Sequence, residues 1–87
     1  MNKALLAQVK IYDNGGRTLD RYTVVYPDGY WRFMSANPLH PQGVCMWAEP
    51  LPGAKPDGRR VLPDQVPEAV LKAILIDLQE FYLKEAE

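Results

Sequence analysis

The sequence contains little of what small enzymes and secreted scaffolds depend on. Its 87 residues include one cysteine, Cys45, and one histidine, His40. A single cysteine cannot form an internal disulfide, so a secreted disulfide-bonded scaffold is excluded and a cytoplasmic location is expected. The chain also lacks a run of about 18 apolar residues and a basic start followed by an apolar segment. We therefore expect neither membrane insertion nor export.

An excess of charge of one sign is also lacking, since the net charge is −1. A protein that coats nucleic acid would show a basic excess. The charge is unevenly distributed: residues 1–60 carry eight basic and five acidic residues, and residues 61–87 carry two basic and six acidic ones. We interpret this as a solvated acidic helix beside a mildly basic sheet. The alternative is a dipolar molecule whose helix approaches a basic partner.

Groups suited to catalysis are scarce. His40 and Cys45 are the only pair that resembles a nucleophile and its base. Cys45 lies in the apolar run 44–48, where a free cysteine usually acts as a small buried hydrophobe, so we predict that it is buried and unreactive. One histidine and one cysteine cannot bind zinc without carboxylates at fitting positions. We predict no enzymatic activity, no catalytic residue, no metal site and no cofactor.

The first half of the chain has the pattern of a sheet. Period-2 alternation and β-branched or aromatic residues predict strands over residues 5–12, 18–26, 30–34 and 44–48. Turns are predicted at 13–17, where Asn14, Gly15 and Gly16 lack the spacing of a phosphate-binding loop, and at 27–29. Seven of the eight prolines lie between Pro38 and Pro67, so residues 49–62 are predicted to form a Pro/Gly-rich loop.

Turn lengths suggest a register for these strands. Val25 is predicted to face Trp31 across the second hairpin, and Ile11 to face Leu19 across the first. This register places one apolar set on the core face of the sheet: Leu5, Ala7, Val9, Ile11, Leu19, Val25, Trp31 and Phe33. Arg21 also falls on that face and is the one misfit.

The last segment has the periodicity of an amphipathic helix. A short turn at 63–66 is predicted to lead into a helix over 67–84. Its apolar arc consists of Val70, Leu71, Ile74, Leu75, Leu78, Phe81 and Tyr82, and we expect this arc to pack on the Trp31 and Phe33 face. The prediction is one α+β domain over residues 1–87: an antiparallel sheet of three or four strands in 1–48, the loop 49–62, and one C-terminal helix in 63–87 packed on one face.

Two surfaces are candidates for binding a partner. The predicted outer face of the sheet carries Tyr12, Tyr22, Tyr26, Tyr30, Arg32 and Met34. Tyrosines with an arginine are typical of protein interfaces and of platforms that stack nucleic-acid bases, although the helix or the Pro-rich segment could instead cover this face. Ile76 and Leu83 lie outside the apolar arc of the helix. They are either incidental or a contact surface for a homodimer or a target.

Two sequence motifs resemble a known group of proteins. Residues 11–25 read IYDNGGRTLDRYTVV, and residues 34–43 read MSANPLHPQG. Together with the helix opening LPDQV at 62–66, they resemble a family of small proteins carried by phages and mobile elements, with the pattern IYDNGGxTxDRYTVV followed by MSxNPxxPQG. The resemblance spans residues 9–80. The chain departs from it after Gly43, where Val44 to Trp47 are more apolar.

The resemblance implies a function but no catalytic residues. By their phage setting, their small size and their lack of catalytic groups, such proteins are similar to anti-CRISPR inhibitors. We therefore expect a non-enzymatic protein in the cytoplasm of a bacterial host that binds and inhibits a host protein or ribonucleoprotein complex, with a CRISPR effector as the first candidate. The alternative is a small nucleic-acid-binding module that uses the Tyr/Arg face of the sheet.

Overall fold

A computed structural model describes residues 3–82, which form a five-stranded antiparallel sheet with one helix lying across one face. The strands are β1 (Lys10–Asp13), β2 (Tyr22–Val25), β3 (Trp31–Met34), β4 (Cys45–Ala48) and β5 (Arg59–Val61), in the spatial order β4-β3-β2-β1-β5. The helices are a short α1 (Lys3–Leu6), a 3-10 turn (Pro63–Gln65) and α2 (Glu68–Asp77), which continues into a π-helical turn (Leu78–Tyr82). None of the described helices is long and apolar enough to cross a membrane.

The α+β class is confirmed, with one strand more than expected. β5 lies in the segment 49–62 that was predicted to be entirely loop, and it pairs with β1. Gly58 permits this pairing, because a Cβ atom there would lie 2.1 Å from the carbonyl oxygen of Asp13. At the other end, the predicted first strand is wrong before Lys10, since residues 3–6 are helical.

One of the two predicted registers is correct. Val25 faces Trp31 and Thr23 faces Phe33, as the turn at 27–29 indicated. The first hairpin differs, because Ile11 pairs with Val24 and not with Leu19. Its loop runs from Asn14, whose N–H donates to the carbonyl of Arg21, so Leu19 is 70% exposed at the loop tip.

For β2 and β3 the helix covers the opposite face from the one predicted, whereas for β1 it covers the predicted face. The side chains that pack under α2 are those of Ile11, Tyr22, Val24, Tyr26 and Met34, together with Val70, Leu71, Ile74 and Leu78 from the helix. Trp31 and Phe33 point away from this core, because side chains alternate along β3 and Met34 is fully buried. The side of β2 and β3 that was expected to face the core is therefore left uncovered by the helix, whereas Val9 and Ile11 lie in the core as predicted.

The predicted apolar arc of α2 is correct over its first two turns. Val70, Ile74 and Leu78 are fully buried, whereas Phe81 is 54% exposed. Ala73 is buried as well, and Asp77, a charged residue, lies inside the arc. Helical turns extend from Glu68 to Tyr82, which agrees with the prediction as far as the described residues go.

Candidate functional site

The tyrosines predicted to form one exposed face are distributed over several environments. Tyr22 and Tyr26 are buried under the helix, and Arg32 is largely covered beside them. Tyr30 is exposed at the end of the β2–β3 hairpin. Tyr12 lies on the opposite face, since it follows Ile11 in β1. The prediction that this set forms one exposed sheet face is therefore wrong, because the helix covers Tyr22 and Tyr26.

Arg32 and Tyr26 take part in a buried polar network with Asp77. The hydroxyl of Tyr26 donates to Oδ2 of Asp77 at 2.6 Å, and Nη1 of Arg32 donates to Oδ1 at 2.7 Å. Burial raises the pKa of Asp77, while these two donors offset part of the rise. Burial and the hydrogen bond to Asp77 also raise the pKa of Tyr26. The network joins two strands of the sheet to α2, so we assign it a structural role.

The same arginine organises the neighbouring strand. Nε of Arg32 donates to Sγ of Cys45 at 2.9 Å, and its guanidinium carbon lies 4.5 Å from the ring centroid of Trp47. Cys45 is partly buried against the core, where full burial was predicted, and its reactivity remains a prediction.

The open face of the sheet carries aromatic side chains that the sequence reading had placed in the core. One cross-strand row contains Arg60, Tyr12, Thr23, Phe33 and Met46, one from each strand. A parallel row contains Lys10, Val25, Trp31 and Ala48. At about 4.8 Å between strands, the first row extends over roughly 19 Å. We call this surface the open face.

The open face is apolar in its centre and basic at one side. The rings of Trp31 and Phe33 meet edge to face at 6.3 Å, and Met46 is 57% exposed beside them. Lys10 and Arg60 are exposed on β1 and β5. Among the residues of the described strands, no acidic side chain lies on this face. Antiparallel sheets with one solvated side usually present polar residues there, and here only β1 and β5 do so with charged side chains, while β3 and β4 present apolar ones.

The first hairpin loop has a structural explanation. Gly15 and Gly16 have positive φ angles of 79° and 85°, and the side-chain oxygen of Asn14 accepts the N–H groups of Gly16 and Arg17. Nε of Arg21 donates to Asp13 at 2.8 Å. This hydrogen bond lowers the pKa of the Asp13 carboxyl, although burial opposes the change. Arg21 thus leaves the core face to pair at its edge.

The candidate catalytic pair has other partners. Nδ1 of His40 accepts the N–H of Gln42 at 3.1 Å, and Sγ of Cys45 accepts a hydrogen bond from Arg32. Within residues 3–82, no three His, Cys, Asp or Glu side chains are grouped as metal ligands.

The helical candidates are only partly covered by the structure. Ile76 is 52% exposed on α2, as predicted. Leu83 lies outside the described residues. A homodimer through this side of the helix remains a prediction.

A cavity of about 690 Å³ lies between α1, β5 and the start of α2. Buried apolar side chains such as Leu6, Val61 and Leu71 form its floor. The polar side chains that line it are all exposed and of both signs: Lys3, Arg60, Asp64 and Glu68. This lining does not select a ligand chemistry, so we do not assign the cavity a function.

No family model, curated protein or solved structure matches the chain. The functional argument therefore rests on the surfaces of the molecule itself. The alternation in Tyr30 to Met34 puts bulky side chains on both faces of β3, and that was the available signal for an aromatic open face.

Proposed function

We propose that the protein is a non-enzymatic binding protein of a phage or mobile element that attaches to a host macromolecular complex and inhibits it. The open face is the proposed attachment surface. The phage setting and the inhibitory role come from the resemblance of the two sequence motifs. A CRISPR effector is the first target to test, for the same reason.

The observation that carries the proposal is the composition of the open face. Trp31, Phe33, Tyr12 and Met46 lie on one side of the sheet with Arg60 beside them. Aromatic residues, methionine and arginine are the types enriched in protein interfaces, and tryptophan, tyrosine and arginine are the commonest hot spots. A face built of these residues, and left uncovered by the helix, is suited to a partner.

The test is to measure binding of the protein to purified CRISPR effector complexes. In parallel, partners are captured from a host lysate by crosslinking from the open face. Phe33→Ser and Met46→Ser should weaken capture by about tenfold or more, because each removes apolar contact area from the part of the surface formed by β3 and β4. Leu51→Ser is the matched control for Met46→Ser, since Leu51 is also an exposed apolar residue but lies in the 49–58 loop.

The outcomes separate the parts of the proposal. Capture of a host complex other than a CRISPR effector, lost in Phe33→Ser, would remove the CRISPR assignment and retain the binding function. Undiminished capture by Phe33→Ser, with loss in Ile76→Ser, would contradict the open face and move the site to the helix.

A single-stranded nucleic acid is the second candidate partner. Lys10 and Arg60 flank the half-buried Tyr12 on a face that, in the described strands, has no acidic residue, and the outer side of such a ring can stack a base. Two phosphate contacts predict a slope of about −1.4 for the logarithm of the binding constant against the logarithm of salt concentration. Anisotropy measurements with a single-stranded oligonucleotide at several salt concentrations would detect it, and a zero slope or no binding would remove this candidate.

A further inference from the structure

A second group of aromatic side chains lies on the helix side of the sheet, away from the open face. Tyr30, Trp47, Phe81 and Tyr82 surround a recess of about 230 Å³. Among the described residues, Asp28 is the only other one that lines it. The recess is formed where the β2–β3 hairpin, β4 and the end of the helix meet. Four aromatic rings and one carboxylate are an unusual lining for so small a space.

The walls of the recess are held in place by contacts outside it. Tyr82 stacks on Tyr26 with a centroid distance of 5.3 Å and an interplanar angle of 1°. Trp47 packs against the same Tyr26 ring at 5.2 Å. Phe81 meets Trp47 edge to face at 5.7 Å, so two walls are nearly perpendicular. Because Tyr26 is buried and bonded to Asp77, these walls are preorganised.

The π-helical turn is what delivers two rings to one site. It spans Leu78–Tyr82 and directly follows α2. In it, Leu78 remains fully buried while Phe81 stays exposed beside Trp47. Single π turns are rare and often occur at functional sites. Here the turn places consecutive aromatic residues, Phe81 and Tyr82, around the same recess.

The recess has a negative charge at its edge. Oδ1 of Asp28 accepts the hydroxyl of Tyr82 at 2.9 Å and the N–H of Tyr30 at 3.1 Å. No ion pair joins Asp28 to a cation among the described residues. The nearby Arg32 guanidinium does not line the recess and is paired with Asp77.

Size and chemistry together narrow the ligand. The recess is smaller than pockets that enclose a whole drug-sized molecule, so it fits a headgroup. Electron-rich ring faces beside a carboxylate attract a cation. An unmodified lysine ammonium brings three N–H donors, and because Oδ1 of Asp28 already accepts two bonds, Oδ2 is the carboxylate oxygen left to receive them. Methyl groups replace those donors with surfaces that contact the rings.

We propose that this recess binds a methylated ammonium group, with Trp47, Phe81 and Tyr30 as walls and Asp28 as the counter-ion. A methylated lysine in a protein and a free cation such as choline present the same chemistry. The site is independent of the open face and does not require it to bind anything.

The test is a titration of the intact protein followed by NMR, with choline as the first probe. The backbone amides of Tyr30 and Phe81 and the indole N–H of Trp47 should shift in a saturable way. The neutral carbon isostere of choline, in which carbon replaces nitrogen, keeps the shape and loses the charge. Its affinity should therefore be lower than that of choline by about tenfold or more. Equal binding of the isostere would overturn the proposal.

Variants separate charge from shape. Asp28→Asn keeps an oxygen for Tyr82 and removes the charge, and Phe81→Leu keeps an apolar group and removes the ring. Both should weaken choline binding severalfold. Ile76→Leu, on the exposed side of the same helix, is the control and should bind as the wild type does. Unchanged affinity in both Asp28→Asn and Phe81→Leu would also overturn the proposal.

A last comparison identifies the source of the cation. A peptide with trimethyllysine should bind more tightly than the same peptide with unmodified lysine, and equal affinity would contradict the preference for methyl groups. If the methylated peptide binds more tightly than choline, the ligand is a protein tail; if choline binds more tightly, it is a small molecule. No saturable shift with choline or with the methylated peptide would overturn the proposal, and Phe33→Ser should leave these affinities unchanged.

Discussion

At the scale of single residues, Gly58 is the glycine whose surroundings leave the least room for a side chain. Its φ angle is +98°, and a Cβ atom would lie 2.1 Å from the carbonyl oxygen of Asp13. Gly53 has a similar φ angle of +81° but nothing within 4 Å of such a Cβ. The two glycines therefore separate backbone strain from steric contact.

We predict that Gly58→Ala destabilises the protein much more than Gly53→Ala. The Gly53 variant should lose about 1–2 kcal/mol of unfolding free energy from the positive φ alone. The Gly58 variant should lose at least twice as much, because its Cβ also forces β5 away from β1. Urea denaturation measures both values, and similar losses in the two variants would show that β5 does not approach β1 so closely.

Asp13 determines part of the response to acid. Hydrogen bonds from Arg21 lower its pKa in the folded state, burial opposes them, and the N–H of Gly15 adds a smaller lowering. The unfolded chain therefore binds a proton at higher pH than the folded one. The stability that Asp13 contributes is present above pH of about 4 and is lost as the pH falls toward the lowered pKa.

We predict that Asp13→Asn flattens the decline in unfolding free energy below pH of about 4. Arg21→Gln should flatten it as well, because it removes the main cause of the lowered pKa. Denaturation curves at several pH values between neutral and strongly acidic measure the slope. If Asp13→Asn parallels the wild type, Asp13 does not contribute to the acid response.

At the scale of elements, the Arg32–Asp77–Tyr26 network is the main polar connection between sheet and helix. The side chains of Arg32 and Asp77 are 16% and 6% exposed. Removing one member of a buried ion pair leaves the other uncompensated, whereas replacing all members by apolar groups is often tolerated. The pair Lys72–Glu68 is a contrast, because both side chains are largely exposed and separated by 4.0 Å.

We predict that Asp77→Ala lowers the unfolding free energy by about 3–5 kcal/mol. The combined change Tyr26→Phe, Arg32→Met and Asp77→Leu should recover most of that loss, since no buried charge or hydroxyl is left without a partner. Glu68→Gln, which removes the exposed pair, should cost less than about 1 kcal/mol. A triple variant as unstable as Asp77→Ala would mean that the loss comes from packing and not from charge.

The same network explains why one part of the fold was predictable and another was not. The β2–β3 register followed from a short turn, and the first turns of α2 from periodicity, because both depend on neighbouring residues. The first hairpin was misjudged because the side chain of Asn14 supports a longer loop. The covered face depends on contacts of Asp77 with residues 45 and 51 positions away, and β3 is bulky on both faces. Local patterns do not contain that information.

The candidate surfaces were predictable to a similar degree. Tyr30 and Ile76 lie at the surface, as predicted, whereas Tyr22 and Tyr26, predicted on the outer face of the sheet, are buried. Since the predicted face was inverted for β2 and β3, Trp31 and Phe33 exchanged roles with Tyr22 and Tyr26. The aromatic recess was missed because it joins Asp28 to Tyr82, 54 positions apart, through a π turn that no sequence pattern indicated.

At the scale of the whole molecule, the sheet and the helix share one core. Ile74 and Leu78 of α2 and its π turn are fully buried, and so are Val24 and Met34 of the sheet. The other side of the sheet is open, so the covered side is the only one where the sheet packs against a helix in the described chain. Neither the sheet nor the helix retains a core without the other. The prediction of a single domain can therefore be tested by following the unfolding of both.

We predict that the protein unfolds in one cooperative transition. Far-UV circular dichroism reports chiefly on the helix, and tryptophan fluorescence reports on Trp31 and Trp47, which lie on opposite faces of the sheet. Ile74→Ala opens a cavity in the shared core. The unfolding free energy should therefore fall by about 2–5 kcal/mol, and by the same amount in both signals. Ile76→Ala, two residues further along α2 and exposed, is the matched control and should cost less than about 0.5 kcal/mol. If Ile74→Ala melts the helical signal and leaves the tryptophan transition unchanged, the sheet is stable without the helix and the chain is not one cooperative unit.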